Sequence, residues 1–207
     1  MPKRIVTKVT SGRNGGIHCT KSYKNACKWL DGHTFANGQL WHIVLKGSPD
    51  REAYESALDR LVERLRDAGM DTEYKAAYEQ CPKKGFHRHC FLLIEAQDHK
   101  PAAILRFKEN GWLVTTLKRF GLTFYIAPPR NPIHLTRKGK QKKYAYVPKT
   151  PGPMLDDCKV WLSYAFKNRT KAGVDAPIYS SSRKRTVKAT MLPATTTTTT
   201  TTTKENE

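Results

Sequence analysis

Gly85-Phe86-His87-Arg88-His89-Cys90-Phe91-Leu92-Leu93-Ile94 sets two histidines one residue apart at the mouth of an apolar run. Side chains alternate along a strand, so His87 and His89 project from one face and Arg88 from the other. Glu79 stands eight positions before His87. A hairpin across Lys83-Lys84-Gly85 brings that carboxylate beside the two imidazoles, and such a donor set suits a divalent cation. The expected metal ligands are Glu79, His87 and His89. An HxH pair alone is a weak signal, because strand histidines are also found as half-buried polar residues with ordinary partners.

Working outward, residues 73–80 and 86–95 read as the two antiparallel strands of that hairpin. Upstream, Leu40-Trp41-His42-Ile43-Val44-Leu45 is a compact apolar run closed by Lys46-Gly47, the pattern of a buried central strand. Ser48-Pro49-Asp50 starts a helix, with Ser48 as the expected N-cap and an acid near the positive end of the dipole. From there Tyr54, Ala57, Leu58, Leu61, Val62, Leu65 and Ala68 recur at helical spacing until Gly69. A short helix is expected over 22–30 and another over 101–108. The run 112–117 suits helix or strand, and 122–127 reads as a strand broken by Pro128-Pro129. Beyond Pro151-Gly152-Pro153, Leu155, Cys158, Trp161, Leu162, Ala165 and Phe166 fall on one helical stripe. Tyr164, Lys167 and Lys171 flank that stripe and are expected to face outward.

Composition points to the partner. Thirty-seven Lys and Arg against eighteen Asp and Glu give a net charge of +19, spread along nearly the whole chain, so a polyanion is expected and nucleic acid is the default. Arg130, Arg137, Lys138, Lys140, Lys142 and Lys143 make a basic stretch suited to tracking phosphates. No stretch approaches the ~20 apolar residues of a membrane span, and the start lacks an apolar signal core. A cytoplasmic protein is expected. The five cysteines, Cys19, Cys27, Cys81, Cys90 and Cys158, form an odd set without CxxC, which suggests reduced thiols rather than a disulfide framework or a zinc knuckle.

A metal ion, a phosphate-binding surface and a tyrosine on a helix together suit phosphodiester cleavage by a phenolic nucleophile. A divalent ion, Mg2+ or Mn2+, held by Glu79, His87 and His89 would polarise the scissile phosphate. Tyr164 would attack, and Lys167 one turn along would stabilise the phenolate or phosphate charge, since a free phenol with pKa near ~10 is a poor nucleophile at neutral pH. Tyr146-Val147-Pro148-Lys149 repeats the Tyr-x-x-Lys pattern, so Tyr146 with Lys149 is the second choice, disfavoured because Pro148 argues against a helix there.

An apolar strand (Trp41-His42-Ile43-Val44-Leu45), a helix, Glu79-x7-His87-x-His89, and then Tyr164-Ala165-Phe166-Lys167 occur in an order that resembles the HUH endonuclease superfamily over roughly residues 40–170. These are the rolling-circle replication initiators of small plasmids, phages and single-stranded DNA viruses. The resemblance implies an α+β, ferredoxin-like palm, an antiparallel sheet with helices on one face. It also implies nicking of single-stranded DNA at an origin hairpin through a covalent 5′-phosphotyrosine, followed by rejoining. The division that goes with it is a basic segment 1–39, an endonuclease domain 40–173, and a disordered tail 174–207 that carries Ser180-Ser181-Ser182-Arg183-Lys184-Arg185 and a threonine run. The position between the histidines, usually hydrophobic in the family, is Arg88 here. One turn beyond Tyr164 stands Asn168, which implies a single-tyrosine mechanism. No G-x-x-x-x-G-K-[ST] occurs, so a host helicase and polymerase, in a bacterial cytoplasm, would unwind and extend.

Two rivals remain open. A single-tyrosine transposase of the same superfamily shares these parts, whereas a relaxase is disfavoured because no third histidine follows the pair. From another class, a noncatalytic basic DNA-binding protein would leave His87, His89 and Tyr164 inert. Convergence of Glu79, His87, His89 and Tyr164 separates the two classes.

Overall fold

The apolar run 40–45 lies in the middle of a six-stranded antiparallel sheet in a computed structural model that describes residues 6–8, 17–48, 50–81, 85–96, 111–129, 136–137, 140–141, 144–166 and 179–182. In chain order the elements are β1 (Val6–Lys8), β2 (Ile17–Cys19), α1 (Thr20–Asp31), β3 (Gly38–Lys46), α2 (Arg51–Asp67), β4 (Thr72–Cys81), β5 (Gly85–Glu95), α3 (Trp112–Arg119) and β6 (Thr123–Ile126). Then follow β7 (Thr136–Arg137), β8 (Lys140–Gln141), β9 (Tyr144–Tyr146), α4 (Pro153–Leu162), which runs into a 3-10 turn (Ser163–Phe166), and β10 (Tyr179–Ser181). The strand order is β10-β4-β5-β3-β6, and β9 shares the outer edge of β3 with β6. The succession β3-α2-β4-β5-α3-β6, with β4-β5-β3-β6 side by side, makes this α+β chain compatible with a ferredoxin-like fold. β1 with β2, and β7 with β8, form small separate pairs.

β3 is buried on both faces because both faces are covered, which explains why its sequence shows no alternation. On one face Ile43, Leu45, Cys90, Leu92 and Ile94 meet Tyr54, Leu58, Leu61 and Leu65 of α2 and Leu113 and Leu117 of α3. On the other, Leu40, Phe91 and Leu93 meet Ala26 and Leu30 of α1 and Leu155, Cys158, Trp161 and Leu162 of α4. Each such fully buried aliphatic side chain contributes roughly 1.5–3 kcal/mol. Helices therefore lie on both faces, not on one: the stripe on α4 and the apolar positions of α1 need a sheet face of their own.

Several expectations change with the tertiary packing. The N-cap of α2 is Asp50, whose carboxylate accepts from Glu52 N at 2.9 Å, while Ser48 Oγ accepts from Asp50 N one step earlier. The ambiguous run 112–117 is helical. The boundaries at 40 and 173 fall inside the packed unit, since α1 before them and β10 after them both join it: Ser180 of β10 pairs with Ala76 of β4. A strand therefore stands at 179–181 where composition suggests a disordered tail, because the free edge of β4 supplies backbone partners. The expected helix 101–108, Lys167, Lys171, Arg130 and the chain from 183 onward lie outside the described residues. Among the described residues, Cys27, Cys81, Cys90 and Cys158 are free thiols, and no helix is long and apolar enough to cross a membrane.

Candidate metal centre

The hairpin register decides the site. Glu79 pairs directly with His87 and Ala77 with His89, so the carboxylate on β4 stands across from the first histidine of β5. β5 opens at Gly85, whose positive φ of 67° is a conformation that glycine adopts without strain. The Gly85 carbonyl lies 3.0 Å from His87 Nδ1. A carbonyl only accepts, so Nδ1 is the donor of that contact, and Nε2, which faces Glu79, is the ring atom left to ligate an ion.

Glu79 Oε2 lies 3.5 Å from His87 Nε2 and 3.2 Å from His89 Nε2. All three donor atoms fall within 4.8 Å of one another, and the residues are buried, at 5%, 4% and 2% exposure in the order Glu79, His87, His89. Metal–ligand bonds of about 2.0–2.2 Å require donor atoms roughly 3–3.5 Å apart in tetrahedral or octahedral geometry. Both carboxylate–imidazole distances meet that requirement, so the group can hold a divalent ion.

A third histidine joins them. His42, in the middle of β3, pairs in register with Phe91, stacks on its ring (centroids 4.2 Å apart, 12° between planes), and sets Nε2 2.8 Å from His89 Nδ1. Burial first, and then the neighbouring His89, hold the His42 pKa well below the usual 6.5, against a smaller upward pull from Glu79. His42 is thus a neutral imidazole behind His89. Its only signal in the sequence is a polar residue inside an otherwise apolar strand; that it shares the face of the pair follows from the register of β3 against β5.

Tyr164 reaches the same place from the other side. Its ring centroid lies 5.1 Å from that of His89, edge to face, and 5.8 Å from that of His42. It sits in the 3-10 turn rather than in the regular helix, and it turns toward the histidines, not outward. Trp161 fixes this approach by packing edge-on against Phe91 and His42. Helix α4 is itself tied to α1: Lys159 Nζ lies 2.7 Å from Asp31 Oδ1, and the Tyr23 hydroxyl donates to the Lys159 carbonyl at 3.2 Å.

Tyr146 does not join the group. On β9 it pairs with Gln39 of β3, beside Tyr144, which stacks on Trp41, on the sheet face opposite the histidines. Lys149 is exposed just beyond it. The second-choice pair is thereby set apart from the metal ligands, because Gln39 and Trp41 alternate with His42 along β3, and the tyrosines opposite them face the α2 side. Arg88 takes that side as well. It is fully buried, donates from Nη1 to the Tyr54 carbonyl at 2.8 Å and from Nη2 to Ser180 Oγ, and lies over the Tyr78 ring at 4.8 Å.

No family model, no curated protein and no solved structure matches this chain.

Proposed function

We propose that the chain is a metal-dependent, single-tyrosine DNA nicking and rejoining enzyme with an HUH-type ferredoxin-like palm, acting as a replication initiator at a rolling-circle origin. The single observation that carries this reading is the position of Tyr164, its ring 5.1 Å from that of His89 beside a Glu79–His87–His89 group able to hold a metal ion. A merely structural histidine pair needs no hydroxyl-bearing neighbour on a separate helix. Sheet topology, a net charge of +19 and the order of the motifs add weight.

The ion, when bound, would polarise the scissile phosphate and offset its developing charge. Two imidazoles with one carboxylate favour Mn2+ over Mg2+, which prefers oxygen ligands. Tyr164 Oη attacks phosphorus and its proton is released. The bond between phosphorus and the 3′ oxygen breaks, and that oxygen takes up a proton as a free 3′ hydroxyl. The strand is left as a 5′-phosphotyrosine ester. Attack by a 3′ hydroxyl on that ester reverses the step and rejoins the strand. Single-stranded DNA with an origin hairpin is the substrate in this reading, and a host helicase and polymerase supply the remaining work. A transposase of the same superfamily would use the same residues.

The test is a denaturing gel of protein incubated with a labelled single-stranded oligonucleotide pool and Mn2+. A covalent adduct that requires metal and vanishes in Tyr164→Phe and His87→Ala, but persists in Tyr146→Phe, supports the proposal. Tight binding without adduct favours the noncatalytic DNA-binding protein.

A further inference from the structure

The sheet face that carries the two histidines continues past them. On β3, Lys46 is the direct partner of His87 and Val44 of His89. One strand further, on β6, Thr123 pairs with Lys46 and Tyr125 with Val44. Residues directly opposite one another share a face. Glu79, His87, Lys46 and Thr123 therefore form one row across the sheet, and Ala77, His89, Val44 and Tyr125 the next. Tyr125 stands two strand spacings from His89, on the order of 10 Å. It is 39% exposed, and Lys46 Nζ lies over its ring, 4.7 Å from the centroid.

We infer that Tyr125 and Lys46 form a nucleotide subsite beside the metal centre, in which the Tyr125 ring stacks one base and Lys46 holds a neighbouring phosphate. The inference rests on the reading of a single strand as substrate and adds where its flanking nucleotide is gripped. An ammonium over an exposed ring is held less strongly than a stacked base. A base arriving at Tyr125 takes the place of the ammonium, and Lys46, rooted next to His87, turns its charge to the phosphate. Stacking accepts any base, because every base has a π face, so this subsite grips without reading sequence. Lys46 also puts a cation next to the metal ligands, the part that the sequence alone assigns to Lys167.

The test measures fluorescence anisotropy of labelled oligo-dT, and of an abasic oligomer of equal length, on the full chain carrying Tyr164→Phe so that nothing is cleaved. In that background Tyr125→Ala should weaken oligo-dT binding about five-fold or more and leave the abasic oligomer unchanged. Tyr125→Phe, which keeps the ring, should bind like the parent, and Lys46→Gln should weaken both probes. Equal oligo-dT affinity for parent and Tyr125→Ala overturns the subsite and leaves the nuclease reading standing. Equal losses on both probes also overturn it, since the ring would then not be stacking a base. A parent that binds neither probe overturns the single-strand reading and the subsite with it.

Discussion

His42 Nε2 lies 2.8 Å from His89 Nδ1, so one metal-facing histidine is held from behind by another. For His89 to offer its Nε2 lone pair to an ion, its Nδ1 must carry the hydrogen and donate it, and His42 must accept. A protonated His42 has no lone pair for that bond. Burial favours the neutral form of His42, the only form with a lone pair to offer.

His42→Phe should accordingly lower Mn2+ affinity about 10- to 100-fold. His42→Gln, whose amide oxygen can accept, should recover part of the loss. Calorimetric titration of the two variants checks this, and unchanged affinity in His42→Phe would show that His89 needs no support.

Metal binding should also stabilise the fold. At a free Mn2+ concentration 100 times the Kd, the gain is about 2.7 kcal/mol, a rise in melting temperature of roughly 5–10 °C for a domain of this size. Glu79→Ala and His87→Ala should abolish the rise. A shift that survives Glu79→Ala would place the ion elsewhere.

Acid should destabilise the metal-free protein through His42. Its folded pKa is depressed below the unfolded value near 6.5, so between the two the unfolded chain binds more protons. The contribution is fully present above about pH 6.5 and is lost as pH falls below it. With metal chelated, the melting temperature between about pH 7 and pH 5 should therefore fall more steeply for wild type than for His42→Phe. Parallel slopes would mean that His42 is not the group being protonated.

Arg88 predicts a different pattern. Its guanidinium is fully buried, no carboxylate among the described residues pairs with it, and its Nε lacks a hydrogen-bond partner. Arg88→Ala opens a cavity and should cost about 2–5 kcal/mol, measured by denaturant unfolding. Arg88→Met, which keeps most of the volume and removes an unpaired buried charge, should cost clearly less. Both should leave Mn2+ affinity near wild type, since Arg88 lies on the α2 side of the sheet. A metal defect in Arg88→Met would tie that face to the site.

Elements with strong periodic signals are legible in the chain itself. Helix α2 shows its apolar stripe at Tyr54, Ala57, Leu58, Leu61, Val62 and Leu65, all buried, and the hairpin that pairs Glu79 with His87 follows from the turn between two strand-like runs. Short runs are less legible. Residues 112–117 become helical through packing of Leu113 and Leu117 on α2 and the sheet, a tertiary contact that local periodicity does not encode. β10 escapes notice for a related reason: its three residues gain a strand only from the open edge of β4.

Alternation along a strand is a local property, so the linear chain already says that His87 and His89 share a face and that Arg88 lies opposite. The basic charge and the donor types at the site are likewise written in the residues. Which distant residues meet that face is a matter of packing. His42 arrives because β3 pairs with β5 in one particular register, and Tyr164, rather than Tyr146, because α4 packs on the histidine side while β9 turns its tyrosines to the other. Register and the choice of sheet face are set by long-range burial, which sums over many contacts and leaves no mark on any short stretch of chain.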